Sequence, residues 1–362
     1  MKKLRLYALW LFLAAGSTFY AQEINVVDGA SIFGDLTARQ IGPALMSGRV
    51  NDLEIHPTNN KIIYLGAGGG GVWKSNDGGA TFIPIFDDYI QSIGTVTLDP
   101  NDPDKTIYVG TGETWTRNSV SYGNGLYKTS DGGSNWQKIG LENSERIAGI
   151  IVNPQNSDEI YVAAMGALWG DNEERGVFKS IDGGVTWEKV LYVNPRTGCA
   201  DLLMDPRNPS ILYASMWEFR RSGWSFDSGG ENSALYKSID GGKTWDKIHN
   251  GFPEGKLGRM GIAIAKSNPD VLYTVIEAEQ KKDKGLYRSK DLGASWEQMN
   301  NDFEITVRPF YFSRLVVDPR NENVIYKGGL RGSVSKDGGK TFKGLGNMHS
   351  DVHDMVFSNM HS

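Results

Sequence analysis

Hydrophobic and polar residues alternate with a period of two through short segments along the whole chain. Leu126-Tyr127-Lys128-Thr129 and Leu235-Tyr236-Lys237-Ser238 show it plainly, and that spacing sends one face of a strand to a core and the other to water. Each segment runs into an Asp-x-Gly corner. A return segment opens on an aromatic residue, as in Trp136-Gln137-Lys138-Ile139 and Trp187-Glu188-Lys189-Val190. Between the corners, Leu98-Asp99-Pro100, Val152-Asn153-Pro154, Met204-Asp205-Pro206 and Val317-Asp318-Pro319 end another apolar strand, because proline lacks an N–H and restricts the residue before it. A strand carrying a tyrosine follows, at Tyr64, Tyr108, Tyr161, Tyr213, Tyr273 and Tyr326. The predicted unit has four strands: A ends near Asp-Pro, B carries the Tyr, C enters the corner and D leaves it. Helix signals are nearly absent.

The corner belongs to an eight-residue signature, Ser/Thr-x-Asp-x-Gly-x-x-Trp/Phe, which returns six times, at Asp77, Asp131, Asp182, Asp240, Asp291 and Asp337. Glycine supplies positive φ cheaply and the Asp accepts hydrogen bonds from the turn's backbone, so these aspartates read as structural. The interval of 46 to 58 residues is the length of one four-stranded sheet. Six such units predict an all-β fold, a β-propeller whose blades are wedged apart by the box aromatics.

The half of the unit from box Asp to next Tyr hardly varies, at 30 to 35 residues, whereas the half from Tyr to Asp varies from 11 to 27. All large insertions therefore fall between strands B and C. In an up-and-down blade the B–C loops and D–A connections open on one end of the ring and the boxes on the other. A binding or catalytic site belongs on the end that accepts insertions.

Composition narrows the function classes. Lys2, Lys3 and Arg5 precede an apolar run from Leu6 to Ala15 and a small-residue stretch to Ala21, the form of a secretory signal peptide too short to span a bilayer comfortably. The net charge of −5 becomes more negative without those three residues, which excludes nucleic acid as a natural partner. Cys199 is the only cysteine, so neither a disulfide framework nor a thiolate metal site can form within one chain. The expected organisation is a signal peptide over 1–21, an extension over 22–36 and a propeller over 37–362, secreted or periplasmic, with no integral membrane segment after cleavage.

The long loops carry the candidate chemistry. Trp115, Arg117, Trp169, Arg220, Arg221 and Trp224 suit a platform in which indoles stack on sugar rings and arginines hold polar groups, or equally a peptide groove. The same tryptophans could instead fasten the loops down. Glu113, Asp171, Glu173, Glu218 and Glu277 are the carboxylates from which a glycosidase would need a facing pair. His349, Asp351 and His353, spaced two apart, would share one face of an extended segment and offer a divalent metal three ligands; no other cofactor is expected. No nucleophile triad, phosphate-cradling loop or dinucleotide fingerprint is present.

The boxes resemble the Asp-box, or BNR, repeats of sialidases, of sortilin and VPS10-type receptors, and of xyloglucan-acting glycosidases. Ile41-Gly42-Pro43-Ala44-Leu45-Met46-Ser47-Gly48-Arg49-Val50 and Gly69-Gly70-Gly71-Val72-Trp73-Lys74 resemble a group of exported bacterial sortilin-like propeller proteins often labelled glycosyl hydrolases. The likeness runs over about residues 37–357. Three departures qualify it. Xyloglucan-acting relatives carry a catalytic Asp shortly before the Gly-Gly of the first blade, where this chain has Gly68. Sialidases open with Arg-Ile-Pro, and no Arg adjoins Ile41-Gly42-Pro43. Sortilin-type receptors add a cysteine-rich module and a membrane span. The resemblance implies an exported propeller that binds a polypeptide or glycan on its long-loop face, or alternatively a glycoside hydrolase acting on a plant or algal polysaccharide. Residues 37–43 match a D strand and His353-Asp354-Met355-Val356-Phe357 an A strand, so six complete blades and an incomplete seventh, as in a partial gene product, are expected.

Overall fold

The computed structural model describes residues 48–118 and 120–358. The signal peptide expected over 1–21, the extension expected over 22–36 and the outer strand expected over 37–43 lie outside them. Six antiparallel sheets follow one another along the chain, each built in the order A-B-C-D. Their inner strands are Val50–Ile55, Ile93–Leu98, Ile147–Asn153, Thr197–Asp205, Leu257–Ile264 and Leu315–Val317, and the sheets are called blades 1 to 6. Neighbouring inner strands lie side by side, the radial arrangement of a propeller. The only helical turns among the described residues are two of 3-10 type, Lys281–Asp283 and Phe303–Thr306.

The six corners close in the same way. In box 3 the Ser180 hydroxyl donates to Asp182 at 2.8 Å, while Asp182 accepts the Thr186 N–H at 2.9 Å and the Thr186 hydroxyl at 2.5 Å. The glycine two residues after each box Asp has positive φ, 95° at Gly184, where a side chain would be strained. The Asp-Pro turns add a local hydrogen bond, the Asn101 N–H donating to Asp99 at 2.9 Å.

Packing between blades explains the repeated aromatics. Trp136 sits edge-on to Phe86 at 5.1 Å and donates its indole N–H to the Ile85 carbonyl of the preceding blade, at 2.8 Å. The strand-B tyrosines Tyr64, Tyr108, Tyr161, Tyr213 and Tyr273 are buried. Tyr161 and Tyr213 donate to the Gly241 and Leu292 carbonyls in the next box at 2.9 Å. A lysine on strand C repeats the stitch: Lys179 lies 5.0 Å from the Tyr161 ring centroid and donates to Gly241. The outer seams are thereby fastened at the box end.

A different device fastens the axis. Bulges near the start of the inner strands, between Val50 and Asp52 and between Cys199 and Asp201, turn acidic side chains sideways toward the neighbouring blade. Asp52 accepts the Val96 N–H at 2.7 Å, and Asp201 accepts the Ile262 N–H at 3.0 Å. Between blades 6 and 1, Asp354 accepts the Leu53 N–H at 2.8 Å and faces Arg314 Nε at 2.7 Å. The expected A strand over 353–357 forms no sheet, because no B strand among the described residues lies beside it. Its Asp354 nevertheless stands toward blade 1 as Asp52 stands toward blade 2.

Candidate binding face

Long loops and boxes occupy separate territories. A groove between blades 2 and 3 is lined by Asp131, Trp136, Asp182 and Trp187 together with other residues of the box ends. A cleft of about 640 Å³ between blades 4 and 5 is lined by B–C loops and D–A connections, including Arg196, Glu218, Asp227, Lys256, Glu277 and Lys284.

The cleft wall comes from the longest insertion. Strand Asn208–Arg221 of blade 4 runs past its sheet and folds back on Phe226–Ser228, pairing Phe219 with Ser228 and Arg221 with Phe226. Trp217 and Phe219 stack at 4.4 Å beneath this hairpin. Glu218, Asp227 and Ser228 face the cleft, and Trp224 stands at the hairpin tip, 92% exposed.

Two predicted carboxylates line this cleft. Glu218 accepts from the Asn232 backbone N–H at 3.1 Å and side-chain amide at 3.0 Å; Glu277 accepts from the Ser228 hydroxyl at 2.6 Å. Each lies flat on a glycine: a Cβ at Gly230 would collide with Glu218, and one at Gly258 with Glu277. Burial pushes the Glu277 carboxyl above its ordinary range, against the pull of Ser228 and the Arg259 N–H.

The other candidates are dispersed. Asp171 is paired with Arg220, which also reaches the Trp169 carbonyl; Trp169 itself is 50% exposed. Glu173 accepts from the Tyr192 hydroxyl at 2.7 Å. Arg221 is bonded to Asn118 and lies 5.3 Å from the Phe226 ring. Glu113 is buried and paired with Arg49.

Trp115 is not a rim platform. Only 5% exposed, it donates to the Asn51 carbonyl at 3.2 Å and carries the Arg259 guanidinium 4.2 Å from its ring. The blade-2 insertion is long enough to fold back over the ring axis, where the indole covers the inner strands. Nor are His349, Asp351 and His353 brought together. His349 is exposed and turned to the Ser350 carbonyl. His353 is buried among Trp115, Tyr311 and Phe312, and burial, with Arg49 and Arg259 nearby, pushes it down to about 3. Among the described residues no group of three or more His, Cys, Asp or Glu could hold a metal ion.

Sequence reasoning missed Arg49, Arg259 and the aromatic run Phe310-Tyr311-Phe312. The run lies in the D–A connection before blade 6, where the box-to-Tyr interval is longest at 35 residues. That small excess was the available signal.

The fold is a β-propeller of six four-stranded blades, and parts of the chain are similar to sortilin-type and xyloglucan-acting proteins. The family model for sortilin, neurotensin receptor 3, matches residues 124–285. A xyloglucanase of Paenibacillus sp is 27% identical over 301 residues, covering 75% of this chain and 28% of the relative. An ancestral GH74 enzyme superposes with a TM-score of 0.60 at 21% identity, over 85% of this chain and 40% of that one. YCF48 from Cyanidioschyzon merolae superposes with a TM-score of 0.56 at 14% identity, over 88% and 92%. The chain spans about a quarter to two fifths of the length of the curated relatives it matches. Among the described residues no helix is long and apolar enough to cross a membrane.

Proposed function

We propose that this propeller binds a polysaccharide across its long-loop face, in the cleft between blades 4 and 5, without cleaving it. The observation that carries the reading is the hairpin over 208–228: one element supplies the polar cleft wall and a nearly fully exposed Trp224 at its tip. An indole held in water has a face for a sugar ring, and the amide, hydroxyl and carboxylate groups behind it match hydroxyls. The similarity to xyloglucanases supports a β-glucan backbone as ligand. Against hydrolysis, Glu113 and Asp171 are tied to arginines and Gly68 stands where xyloglucan-acting relatives have an acid.

A second reading, hydrolysis in the same cleft, is favoured by one feature. Glu277, held toward its protonated form, and Glu218 line the same cavity, the kind of divided environment an acid and its partner need. Affinity electrophoresis on xyloglucan, paired with a reducing-end assay, separates the two. Retention that Trp224→Ala weakens, with no new reducing ends, supports binding. Sugar release abolished by Glu277→Gln supports hydrolysis. Neither retention nor new reducing ends with the parent sinks both.

A further inference from the structure

A separate constellation closes the long-loop end of the axis. A small cavity there is lined by Gly94, Ala148, Ala200, Arg259 and Arg314 from five inner-strand regions, under Trp115. Tyr311 packs on His353 at 4.4 Å beside Trp115, held by the turn in which the Tyr311 and Phe312 N–H groups donate to the Arg308 carbonyl. Two guanidinium groups rest on the Tyr311 ring, Arg49 at 5.4 Å and Arg117 at 4.9 Å.

The two arginines differ in what remains to be satisfied. Arg49 is half-buried and paired with Glu113. Arg117 is exposed, and among the described residues no carboxylate stands within ion-pair distance of it. One face of its guanidinium is taken by the phenol ring, which leaves the N–H edge for a planar or tetrahedral oxyanion. The surrounding field is positive: Arg49, Arg259 and Arg117 all act with burial to hold His353 neutral. This is a local exception in a chain of net charge −5.

We propose that Arg117, seated on Tyr311 beside Arg49, is a subsite for an anionic substituent of the bound glycan, a uronate carboxylate or a sulfate ester. The proposal deepens the polysaccharide reading and rests on it for the class of polymer. Its chemistry is bidentate capture of an oxyanion by an arginine already stacked on one face, so no side chain must reorder when the anion arrives.

The test uses the full chain in affinity gels containing neutral xyloglucan, polygalacturonate or a sulfated galactan, with trigalacturonate as a small probe in thermal-shift measurements. At low salt one acidic polymer should be retained about tenfold more tightly than xyloglucan, as for a charge-assisted hydrogen bond, and the advantage should shrink with added salt. Whichever acidic polymer is retained identifies the anion. Arg117→Gln should abolish the advantage and leave xyloglucan retention unchanged; Arg117→Lys should keep part of it. An acidic polymer retained equally by parent and Arg117→Gln overturns the subsite. So does xyloglucan retention without any acidic advantage, or capture of acidic peptides alone. A trigalacturonate shift in the parent that is lost in Arg117→Gln, with no retention of xyloglucan, keeps the subsite and defeats the neutral-cleft reading.

Discussion

Replacing Asp354 by alanine should loosen the seam between blades 6 and 1. One carboxylate oxygen accepts the Leu53 N–H at 2.8 Å, and the other faces Arg314 Nε at 2.7 Å. A hydrogen bond to a charged partner contributes about 1.5–3 kcal/mol, and the abandoned N–H adds about 1 kcal/mol or more. Two effects offset this. Arg314 keeps Asp52 at 3.7 Å, and losing Asp354 removes a negative charge that, after burial, pushes the Asp52 and Glu54 carboxyls up. The net cost should be about 2 kcal/mol, roughly a factor of 30 in the unfolding equilibrium. Asp354→Asn, which retains an acceptor for Leu53, should lose about half as much. Urea unfolding at pH 7 measures both, with Asp201→Ala as the internal reference for the seam between blades 4 and 5. If Asp354→Ala unfolds within about 0.5 kcal/mol of the parent while Asp201→Ala costs about 2 kcal/mol, the last described segment is not part of the ring's fastening.

Trp115→Ala should cost about 3–5 kcal/mol of stability, whereas Trp224→Ala should leave the melting temperature unchanged; calorimetry distinguishes a plug from a platform. Glu54 is pushed up to about 8, by burial first and then by Asp52 and Asp354. Its favourable protonation is complete below its ordinary value of 4.5 and is lost as pH rises through about 8. Glu54→Gln should therefore flatten the stability profile between pH 4.5 and 8 and exceed the parent at pH 8 in urea titrations. Hydrogen bonds from Thr186 and Ser180 hold Asp182 down to about 2, so its contribution is present above its ordinary value of 3.8 and fades as pH falls through about 2. Asp182→Ala should be less stable than the parent at neutral pH and show a shallower acid limb by circular dichroism. Gly258→Ala should displace Glu277 and reduce xyloglucan retention in affinity gels, since the new methyl occupies the carboxylate's position.

The blades were legible because their determinants are local. Asp182, Gly184 and Trp187 close a turn and start a strand within a few residues, so the same spelling returns six times. The end that takes insertions was legible as arithmetic on tyrosine and aspartate positions. What could not be read is where an insertion goes after leaving its blade. Trp115 and Trp224 look alike in sequence, yet one loop crosses the axis to meet Asn51 and Arg259 while the other is a hairpin in solvent. Arg49 reaches Glu113 from the preceding blade, a pairing that no short pattern encodes. The inner acids were hidden for another reason: Asp52, Asp201 and Asp354 have Thr95, Gly149 and Gly261 as counterparts in other blades, so no repeat announces them. Two of the candidate carboxylates, Glu218 and Glu277, line one cleft, because adjacent blades present equivalent loops to one another.

The inner aspartates Asp52, Asp201 and Asp354 grip main chain of the next blade, and main chain is the same whatever residue follows. A unit bearing the acid can therefore dock against any successor that offers a free amide at the matching height, with no need for the two partners to change together. The join is generic, which makes gain, loss or exchange of whole units inexpensive for a molecule of this kind. Diversity can then accumulate in the outward loops while the hub remains interchangeable.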